Sequence, residues 1–378
     1  MKETKTDVVQ DENGRVDVLA SRIEALIAEA RTKVASVVNT AMVYTYYEIG
    51  RYIVEDEQNG ASRASYGKEV LENLSYKLTD KFGKGWSAAN LRAMRQFYMV
   101  YSKMLTTGQQ IGNENANRWS AKLTNQNITP EFKLSWTHYQ ILMRVENPQA
   151  RSFYEIECYN QQWDKRYLQR QIGSSLYERL ALSRDKDEII RLAKEGQTIE
   201  KPSDIIKDPV VLEFMGLKSD ASYSETALES AIINKLQQFL LEMGKGFLFE
   251  ARQKRFSFEE RNFYVDLVLY NRLLQCYVLV DLKMDDLTHQ DLGQMQMYVN
   301  YYDRYVKQDF EKPTIGILLC ERKNDALVEL TLPTDANVYA QQYALYLPDK
   351  NLLQNKLREW IDEQNENQLS LQLINQIQ

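Results

Sequence analysis

The spacing of apolar positions in the first part of the chain predicts α-helices. Between residues 18 and 57, apolar side chains recur at intervals of three and four, which places them on one helical face. A second stretch with this spacing covers residues 67–82 and ends at Gly83. Ser87 then predicts the N-cap of a third helix, because its hydroxyl can accept a hydrogen bond from the first helical turn.

A segment of different composition interrupts this pattern. Residues 106–130 are rich in Asn, Gln, Gly and Thr and have no periodicity, which predicts a long loop. Helical spacing resumes over residues 135–182, so the sequence predicts an all-α N-terminal domain over residues 18–182. The charged segment 183–209 follows, and we interpret it as a connector to a second domain.

The last part of the chain alternates helical and strand-like patterns. A helix over residues 224–244 precedes three strand-like runs, FLFEARQKRF, NFYVDLVLY and QCYVLVDLK, joined by short turns. A helix at about residues 287–306 and the buried strand TIGILLC follow, and another helix lies around residues 350–363. The order of the core elements, αβββαβ with antiparallel first strands, predicts an α/β domain over residues 210–364 and an α+β multidomain chain.

The composition is that of a folded protein without a membrane segment. Hydrophobic residues make up 44% of the 378 residues and charged residues 26%, as in globular domains. No apolar run approaches the roughly 20 residues that span a bilayer, and the polar N-terminus lacks a secretion signal. We therefore expect a cytoplasmic protein with no membrane partner. The net charge of −6 argues against indiscriminate coating of nucleic acid but leaves local basic surfaces open.

Cysteine and histidine are too scarce for several kinds of site. The three cysteines lie far apart, which favours reduced core thiols over a disulfide framework. The two histidines have no CxxC motif beside them, so a structural zinc site and a His-centred catalytic triad are both disfavoured. A metal ion would have to be held by carboxylates, and such ligands favour Mg²⁺ or Mn²⁺.

Charged residues occur at unusual places in the predicted strands. Asp266 lies within the apolar run VDLVLY, and Asp281 and Lys283 end the run YVLVDLK. A charge in a buried strand is costly unless it is paired or binds a metal ion. Asp281 and Lys283 are two positions apart and share one face of the sheet, while the short turn NRLL lets Asp266 join them from the next strand. Glu229, on the preceding helix, is a further acid that could act as a ligand.

This set of side chains meets the needs of phosphodiester hydrolysis. Two carboxylates can hold a hard divalent cation, which neutralises phosphoryl charge and lowers the pKa of a bound water. Lys283 could orient or deprotonate that water and stabilise negative charge. The alternative is a structural ion pair between Lys283 and one of the aspartates, which suffices for any one residue alone. The helix–hairpin–helix context favours catalysis for the set as a whole.

The same residues carry a resemblance to a nuclease superfamily. The αβββαβ order, with Asp266 and Asp281-Leu282-Lys283 at the ends of adjacent strands, resembles the restriction-endonuclease-like PD-(D/E)XK core. The chain is similar to YhcG-type, PDDEXK nuclease domain-containing proteins through the runs LESAIINKLQQFLLEMGKGF, FYVDLVLYNRLLQCYVLVDLK and PTIGILLC. In the N-terminal half the shared runs are YYEIGRYI, YGKEVLENLSYKL and GWSAANLRAMRQFY, so the resemblance covers about residues 20–360.

The resemblance implies a role for each matching residue. Asp266, Asp281 and Glu229 correspond to metal ligands, and Lys283 corresponds to the catalytic lysine. Val265 replaces the proline of the usual motif, which is a common relaxation. Asp281 stands where glutamate is more usual, and its shorter side chain would shift the metal geometry without abolishing binding.

The helix after these strands carries the run QMQMY, which resembles the QxxxY motif of RecB-like members of the superfamily. Gln294 and Tyr298 are four positions apart and therefore share a helical face. The resemblance implies that they contact the catalytic lysine or the nucleic-acid backbone. A core tyrosine with a satisfied amide explains the pattern equally well.

The N-terminal domain has the sequence outline of a helix-turn-helix. Lys84 lies in the glycine-containing turn, and Arg92 and Arg95 lie on the second helix, where they could contact DNA phosphates. A helical hairpin with ordinary solvated charges would look the same. Such a hairpin could instead bind a protein, for instance a partner from a restriction or defence system, and a homodimer is also open.

The sequence therefore predicts a nuclease that depends on Mg²⁺ or Mn²⁺ and hydrolyses phosphodiester bonds. The resemblance to the superfamily implies DNA, duplex or branched, as the substrate. The N-terminal domain would target the enzyme to nucleic acid or to a partner. The alternative is a non-catalytic DNA- or protein-binding scaffold that keeps the nuclease fold. The presence of Asp266, Asp281 and Lys283 together favours the enzyme.

Overall fold

The chain divides into two units, Met1–Arg151 and Ser152–Gln378. A computed structural model describes residues 38–57, 64–110, 122–124, 127–129, 131–217, 224–333, 335–359 and 361–362. The helix predicted over residues 18–57 is confirmed from residue 38, and its first part lies outside the described residues. Within these ranges no helix is both long and apolar enough to cross a membrane.

The first unit is built mainly from helices. Its helices are α1 (38–57), α2 (Ala64–Phe82), α3 (Ala88–Gln110), α4 (Trp136–Leu142) and the start of α5 (Pro148–Asn160). Aromatic rings fill its core, with the Phe97 centroid 4.8 Å from that of Phe132 and 5.1 Å from that of Tyr139. Large apolar side chains at helical spacing therefore form the core, as the sequence predicts.

The start of α3 forms as predicted. The Ser87 hydroxyl accepts a hydrogen bond from the Asn90 amide at 3.3 Å. The Asn90 side chain donates to the Gly85 carbonyl at 2.6 Å and accepts from the Trp136 indole at 3.2 Å. Gly83 and Gly85 have φ values of +82° and +118°, which glycine adopts without steric cost. The turn between α2 and α3 therefore depends on both glycines and on the Ser87 cap.

The loop predicted over residues 106–130 is wrong in two places. Helix α3 continues to Gln110. Lys122–Thr124 (β1) and Asn127–Thr129 (β2) pair as short antiparallel strands. The Thr and Ile residues of this stretch favour strands, and the surrounding Asn and Gln residues hid that preference in the sequence.

Gly50 marks the closest approach of α1 to α3. A Cβ atom at this position would overlap the carbonyl oxygen of Met94 and lie 3.0 Å from the Cβ of Tyr98. A backbone carbonyl cannot rotate away as a flexible side chain can. We expect Gly50→Ala to destabilise the first unit by about 1–3 kcal/mol, the usual cost of overpacking. Thermal unfolding measures this. Gly293→Ala, which meets open space, is the control and is expected to leave the melting temperature unchanged or slightly higher.

A six-stranded mixed sheet forms the centre of the second unit. Its strands are β3 (Val210–Val211), β4 (Phe247–Phe258), β5 (Arg261–Asn271), β6 (Cys276–Asp286), β7 (Ile315–Arg322) and β8 (Val338–Ala344). The spatial order is β3-β8-β7-β6-β5-β4, with β4, β5 and β6 antiparallel and β6, β7, β8 and β3 parallel. The three antiparallel strands and the parallel fourth confirm the predicted order, whereas the prediction missed β3 and β8.

Helices cover both faces of this sheet. They are α9 (Glu225–Asn234), α10 (Leu236–Met243), α11 (His289–Tyr305) and α12 (Asp325–Thr331), and a further helix, α13 (350–359), follows β8 along the chain. Helices α9 and α10 pack on one face through residues such as Ile232 and Phe239, and α11 and α12 pack on the other through residues such as Met295. All three cysteines are buried and unpaired, as expected. The fold is thus the predicted αβββαβ core, extended by α12 and β8.

The predicted connector over residues 183–209 contains ordered structure. The second unit continues α5 and adds α6 (Lys165–Gly173), α7 (Leu176–Ala181) and α8 (Lys186–Glu195). The Asp185 side chain caps α8 by accepting from the Glu188 amide at 2.9 Å, and Ile189 and Leu192 are buried. The charges that suggested a connector occupy the exposed face of an amphipathic helix. The domain limits 18–182 and 210–364 stay predictions.

A buried ionic cluster joins α6, α7 and α10. The Glu242 carboxylate is fully buried and lies 2.6 Å from Nη1 of Arg179, 3.1 Å from Nη1 of Arg170 and 3.8 Å from Nζ of Lys207. It also accepts a hydrogen bond from the Val211 amide at 3.1 Å. The three cations hold the pKa of Glu242 down to about 2, although burial alone would raise it. The cluster therefore fixes these helices to the edge of the sheet.

Candidate active site

The pairing of β5 with β6 stops where the predicted site begins. Their register runs from Asn271 opposite Cys276 to Leu267 opposite Val280. Beyond that point the Asp266 side chain takes the place of a backbone acceptor, and its Oδ2 accepts a hydrogen bond from the Leu282 amide at 2.8 Å. The strands separate here, and Asp266 bridges the gap. Its carboxylate is therefore held by the backbone of the neighbouring strand.

Asp281 and Lys283 lie on the face of β6 that α11 covers. Asp281 is in register with Leu318 and Lys283 with Cys320, and both of these β7 residues belong to the core beneath α11. The Lys283 ammonium lies 2.8 Å from Oδ2 of Asp281 and 3.8 Å from Oδ1 of Asp291 on α11. The two residues thus share a face, as their spacing predicted.

Burial and two neighbouring charges shift the pKa of Asp281. Burial and the negative charge of Asp266 raise the pKa of Asp281 to about 7, against the opposing effect of Lys283. Burial lowers the pKa of Lys283, but the charges of Asp281, Glu225 and Asp291 together raise it above the usual value. Two carboxylates that repel each other, Asp281 buried and Asp266 partly buried, are a donor set that fits a hard divalent cation.

Glu229 is connected to Asp266 by hydrogen bonds through Gln253. Its carboxylate is 4% exposed, accepts from Nε of Arg252 at 2.6 Å and accepts from Nε2 of Gln253 at 2.9 Å. The same Gln253 nitrogen donates to Oδ1 of Asp266 at 2.8 Å. In the described ranges, no group of three or more His, Cys, Asp or Glu residues is arranged to hold a metal ion. The role of Glu229 as a third ligand stays a prediction.

Gln294 and Tyr298 lie on the side of α11 that faces the site. The Gln294 amide donates a hydrogen bond to the Tyr298 hydroxyl. Tyr298 is 2% exposed and packs in the core beneath α11. Burial raises its pKa, and the charges of Asp281, Lys283 and Asp266 also act on it. The buried ring supports the interpretation of Tyr298 as a core tyrosine. The nearby charges support the interpretation of its hydroxyl as part of the site.

Three further residues at this site were absent from the sequence prediction. Gln253 joins Glu229 to Asp266, Asp291 lies near Lys283, and the charge of Glu225 acts on both Asp281 and Lys283. Glu225 precedes Glu229 by four positions on α9, a spacing that places both on one helical face. That spacing in the sequence could have pointed to Glu225 as a residue of the site. Nothing in the sequence pointed to Gln253, because a glutamine on the exposed face of a strand is ordinary.

The three predicted nucleic-acid-binding residues differ in whether a salt bridge neutralises their charge. Lys84 and Arg92 are exposed, and within the described residues neither forms a salt bridge. Arg95 lies on the same helix, but its Nε donates to Oε2 of Glu57 at 2.6 Å. Much of the Arg95 charge is therefore already neutralised by α1. Lys84 and Arg92 are the stronger candidates for phosphate contact.

A cavity of about 480 Å³ opens beside this turn in the first unit. It is lined by Gly85, Ser87, Ala89, Asn90, Ala93, Gln96, Gln140, Met143 and Arg144. The lining contains no carboxylate and therefore lacks the ligands of a hydrolytic metal site.

Comparison with known proteins accounts for both halves of the chain. The model of the DUF1016 N-terminal domain matches residues 22–179, and that of the YhcG PDDEXK nuclease domain matches residues 203–358. The protein named "Putative nuclease YhcG" from Escherichia coli (strain K12) is 38% identical over 342 residues, which cover 88% of this chain and 91% of that protein.

Two solved structures match part of the chain. They are the crystal structure of a repair endonuclease from Pyrococcus abyssi, at 18% identity, and the EndoMS-dsDNA2 complex, at 15% identity. Each match covers 35% of this chain and has a TM-score of 0.23, and the match spans about half of each solved chain (50% and 51%). The family assignment rests on the sequence matches: this chain belongs to the YhcG family of nucleases, with a DUF1016 N-terminal domain and a PDDEXK nuclease domain.

Proposed function

We propose that the protein is a metal-dependent nuclease that hydrolyses phosphodiester bonds in DNA, with its active site at Asp266, Asp281 and Lys283. One observation carries this proposal. The Asp266 carboxylate accepts a hydrogen bond from the amide of Leu282, the residue between Asp281 and Lys283, and the Lys283 ammonium lies 2.8 Å from Oδ2 of the buried Asp281, so two carboxylates that repel each other meet beside one ammonium. A non-catalytic scaffold would have no need for such repulsion in a buried place.

Asp266 and Asp281 would hold Mg²⁺ or Mn²⁺, which supplies a Lewis acid and an activated water when bound. The Leu282 amide fixes one oxygen of Asp266 and leaves lone pairs on both oxygens for other contacts. Lys283 is a fixed cation between Asp281 and Asp291, where its ammonium can stabilise the negative charge that develops on a phosphoryl oxygen. The Tyr298 hydroxyl is held by Gln294 and can donate to the same charge.

A cleavage assay tests the proposal. The full chain is incubated with linear duplex, single-stranded and four-way-junction DNA, and with RNA of the same sequence, in Mg²⁺, Mn²⁺ or EDTA. We expect cleavage of at least one DNA form that needs the divalent ion. Cleavage that continues in EDTA would contradict the metal-dependent proposal, and cleavage of RNA alone would contradict the DNA assignment.

We further propose that Lys84 and Arg92 contact the DNA backbone. Each phosphate contact contributes about one unit to the slope of log affinity against log salt. Replacing both by glutamine is therefore expected to weaken binding to all DNA sequences alike and to reduce this slope by about two. Salt-titrated binding of the full chain measures it. Lys356→Gln, on α13, is the charge-matched control. An unchanged slope in the double variant would favour a protein partner for this surface.

A further inference from the structure

Strand β4 contains a residue in a conformation that strands rarely use. Gln253 has φ of +46°, in the left-handed region that favours glycine. Its neighbours pair normally with β5, Arg252 opposite Leu267 and Lys254 opposite Val265. Gln253 therefore stands opposite Asp266, at the place where the sheet opens into the site. Backbone strain of this kind persists only where the surrounding structure holds it in place.

The side chain of Gln253 links two of the acids. Its Nε2 atom donates to Oδ1 of Asp266 at 2.8 Å and to Oε2 of Glu229 at 2.9 Å. A glutamine amide carries two N–H groups, so one nitrogen can serve both carboxylates at once. Because Oδ2 of Asp266 already accepts from the Leu282 amide, donors from β4 and from β6 hold the two oxygens of Asp266 from opposite strands.

We propose that Gln253 is a positioning residue that orients the Asp266 carboxylate for the metal ion and couples it to Glu229. The inference rests on the proposed function, since it assigns a purpose to the geometry of that same site. The left-handed backbone directs the amide into the gap between the two acids. A glycine would fit the backbone more easily but could not make either hydrogen bond.

Gln275 provides a matched control in the same unit. It is also a glutamine with positive φ, +55°, and it lies in the turn between β5 and β6. Among the described contacts, its backbone carbonyl accepts from the Lys312 amide and its side chain makes none. Replacing each glutamine by methionine keeps the length of the side chain and removes the amide. Of the two substitutions, Gln253→Met alone removes the bridge to Asp266 and Glu229.

The experiment compares wild-type, Gln253→Met and Gln275→Met in the full chain. Mn²⁺ affinity is measured by electron paramagnetic resonance without DNA, and kcat and KM are measured for DNA cleavage. For Gln253→Met we expect Mn²⁺ affinity and kcat to fall about 10- to 100-fold, the usual effect of losing a residue that orients a metal ligand. We expect KM for DNA to change less than about twofold, since Gln253 is assigned no contact with DNA. Gln275→Met should match wild type in every measurement.

The outcomes separate this inference from the function it rests on. If the wild-type chain cleaves DNA and Gln253→Met binds Mn²⁺ and cleaves DNA equally well, the positioning role is overturned and the proposed function stands. Absence of Mn²⁺ binding and of cleavage in the wild-type chain would overturn both. Should Gln253→Met fail to fold, Gln253→Asn replaces it, because asparagine tolerates the left-handed backbone and its amide is one methylene too short to reach both acids. It is expected to show the same loss.

Discussion

Lys283→Ala is expected to lower kcat for DNA cleavage by at least about 10²- to 10³-fold, the loss seen when a donor that stabilises transition-state charge is removed. The ammonium lies 2.8 Å from Asp281, on the face of β6 where the carboxylates meet. With the ammonium gone, a charge that develops on the phosphoryl oxygens lacks its protein counterion. Single-turnover cleavage with saturating Mg²⁺ measures this effect.

Two companion variants make the Lys283 result specific. Lys283→Arg keeps the positive charge with a different shape, and its activity is expected to fall between those of wild type and Lys283→Ala. Lys312→Ala removes an exposed lysine from the segment before β7 and is expected to leave cleavage unchanged. Near-wild-type cleavage by Lys283→Ala would remove Lys283 from the active site and favour the structural ion pair.

Glu242→Gln is expected to destabilise the second unit by about 3–5 kcal/mol, the cost of leaving buried charges unpaired. Arg179 is fully buried, and Arg170 and Lys207 also lie within 4 Å of the carboxylate that would be lost. For a unit of this size, the loss corresponds to a fall of roughly 10 °C in melting temperature. Thermal unfolding followed by circular dichroism measures it.

The pH dependence of unfolding tests whether the buried charge of Glu242 causes this stabilisation. The folded-state pKa of Glu242, about 2, lies below its ordinary value of 4.5, so its stabilising contribution is complete above pH 4.5 and is lost as pH falls toward 2. The difference between wild type and Glu242→Gln should therefore shrink over that range. Glu195→Gln, which breaks an exposed pair with Arg191, should leave the melting temperature close to that of wild type, because solvent screens the pair. Equal effects from the two variants would contradict the role given to burial.

The strand pattern was sufficient to predict that the side chains of the candidate site lie close together. Side chains alternate along a strand, so the two-residue spacing of Asp281 and Lys283 placed them on one face, and the short turn placed Asp266 beside them. The antiparallel β4–β5–β6 order and the following helix were predictable for the same reason, because each has a continuous apolar pattern. Local periodicity thus determined most of the core.

Features that depend on distant contacts were not predictable. Strand β8 was missed because it carries Gln341, a buried polar residue whose amide donates to the Lys207 carbonyl, 134 positions away. The partners of Glu242 lie 31 to 72 residues from it along the chain. The bridge by Gln253 depends on a left-handed backbone that periodicity cannot reveal. Tertiary contacts decided each of these features.

Mn²⁺ binding to the full chain tests the central claim, that Asp266 and Asp281 together hold the divalent ion. Electron paramagnetic resonance counts bound Mn²⁺ directly, without DNA and without turnover. We expect the wild-type chain to bind Mn²⁺, and Asp266→Asn and Asp281→Asn each to lose that binding, because each removes a charged ligand. Unchanged Mn²⁺ binding after both aspartates are replaced would contradict the claim.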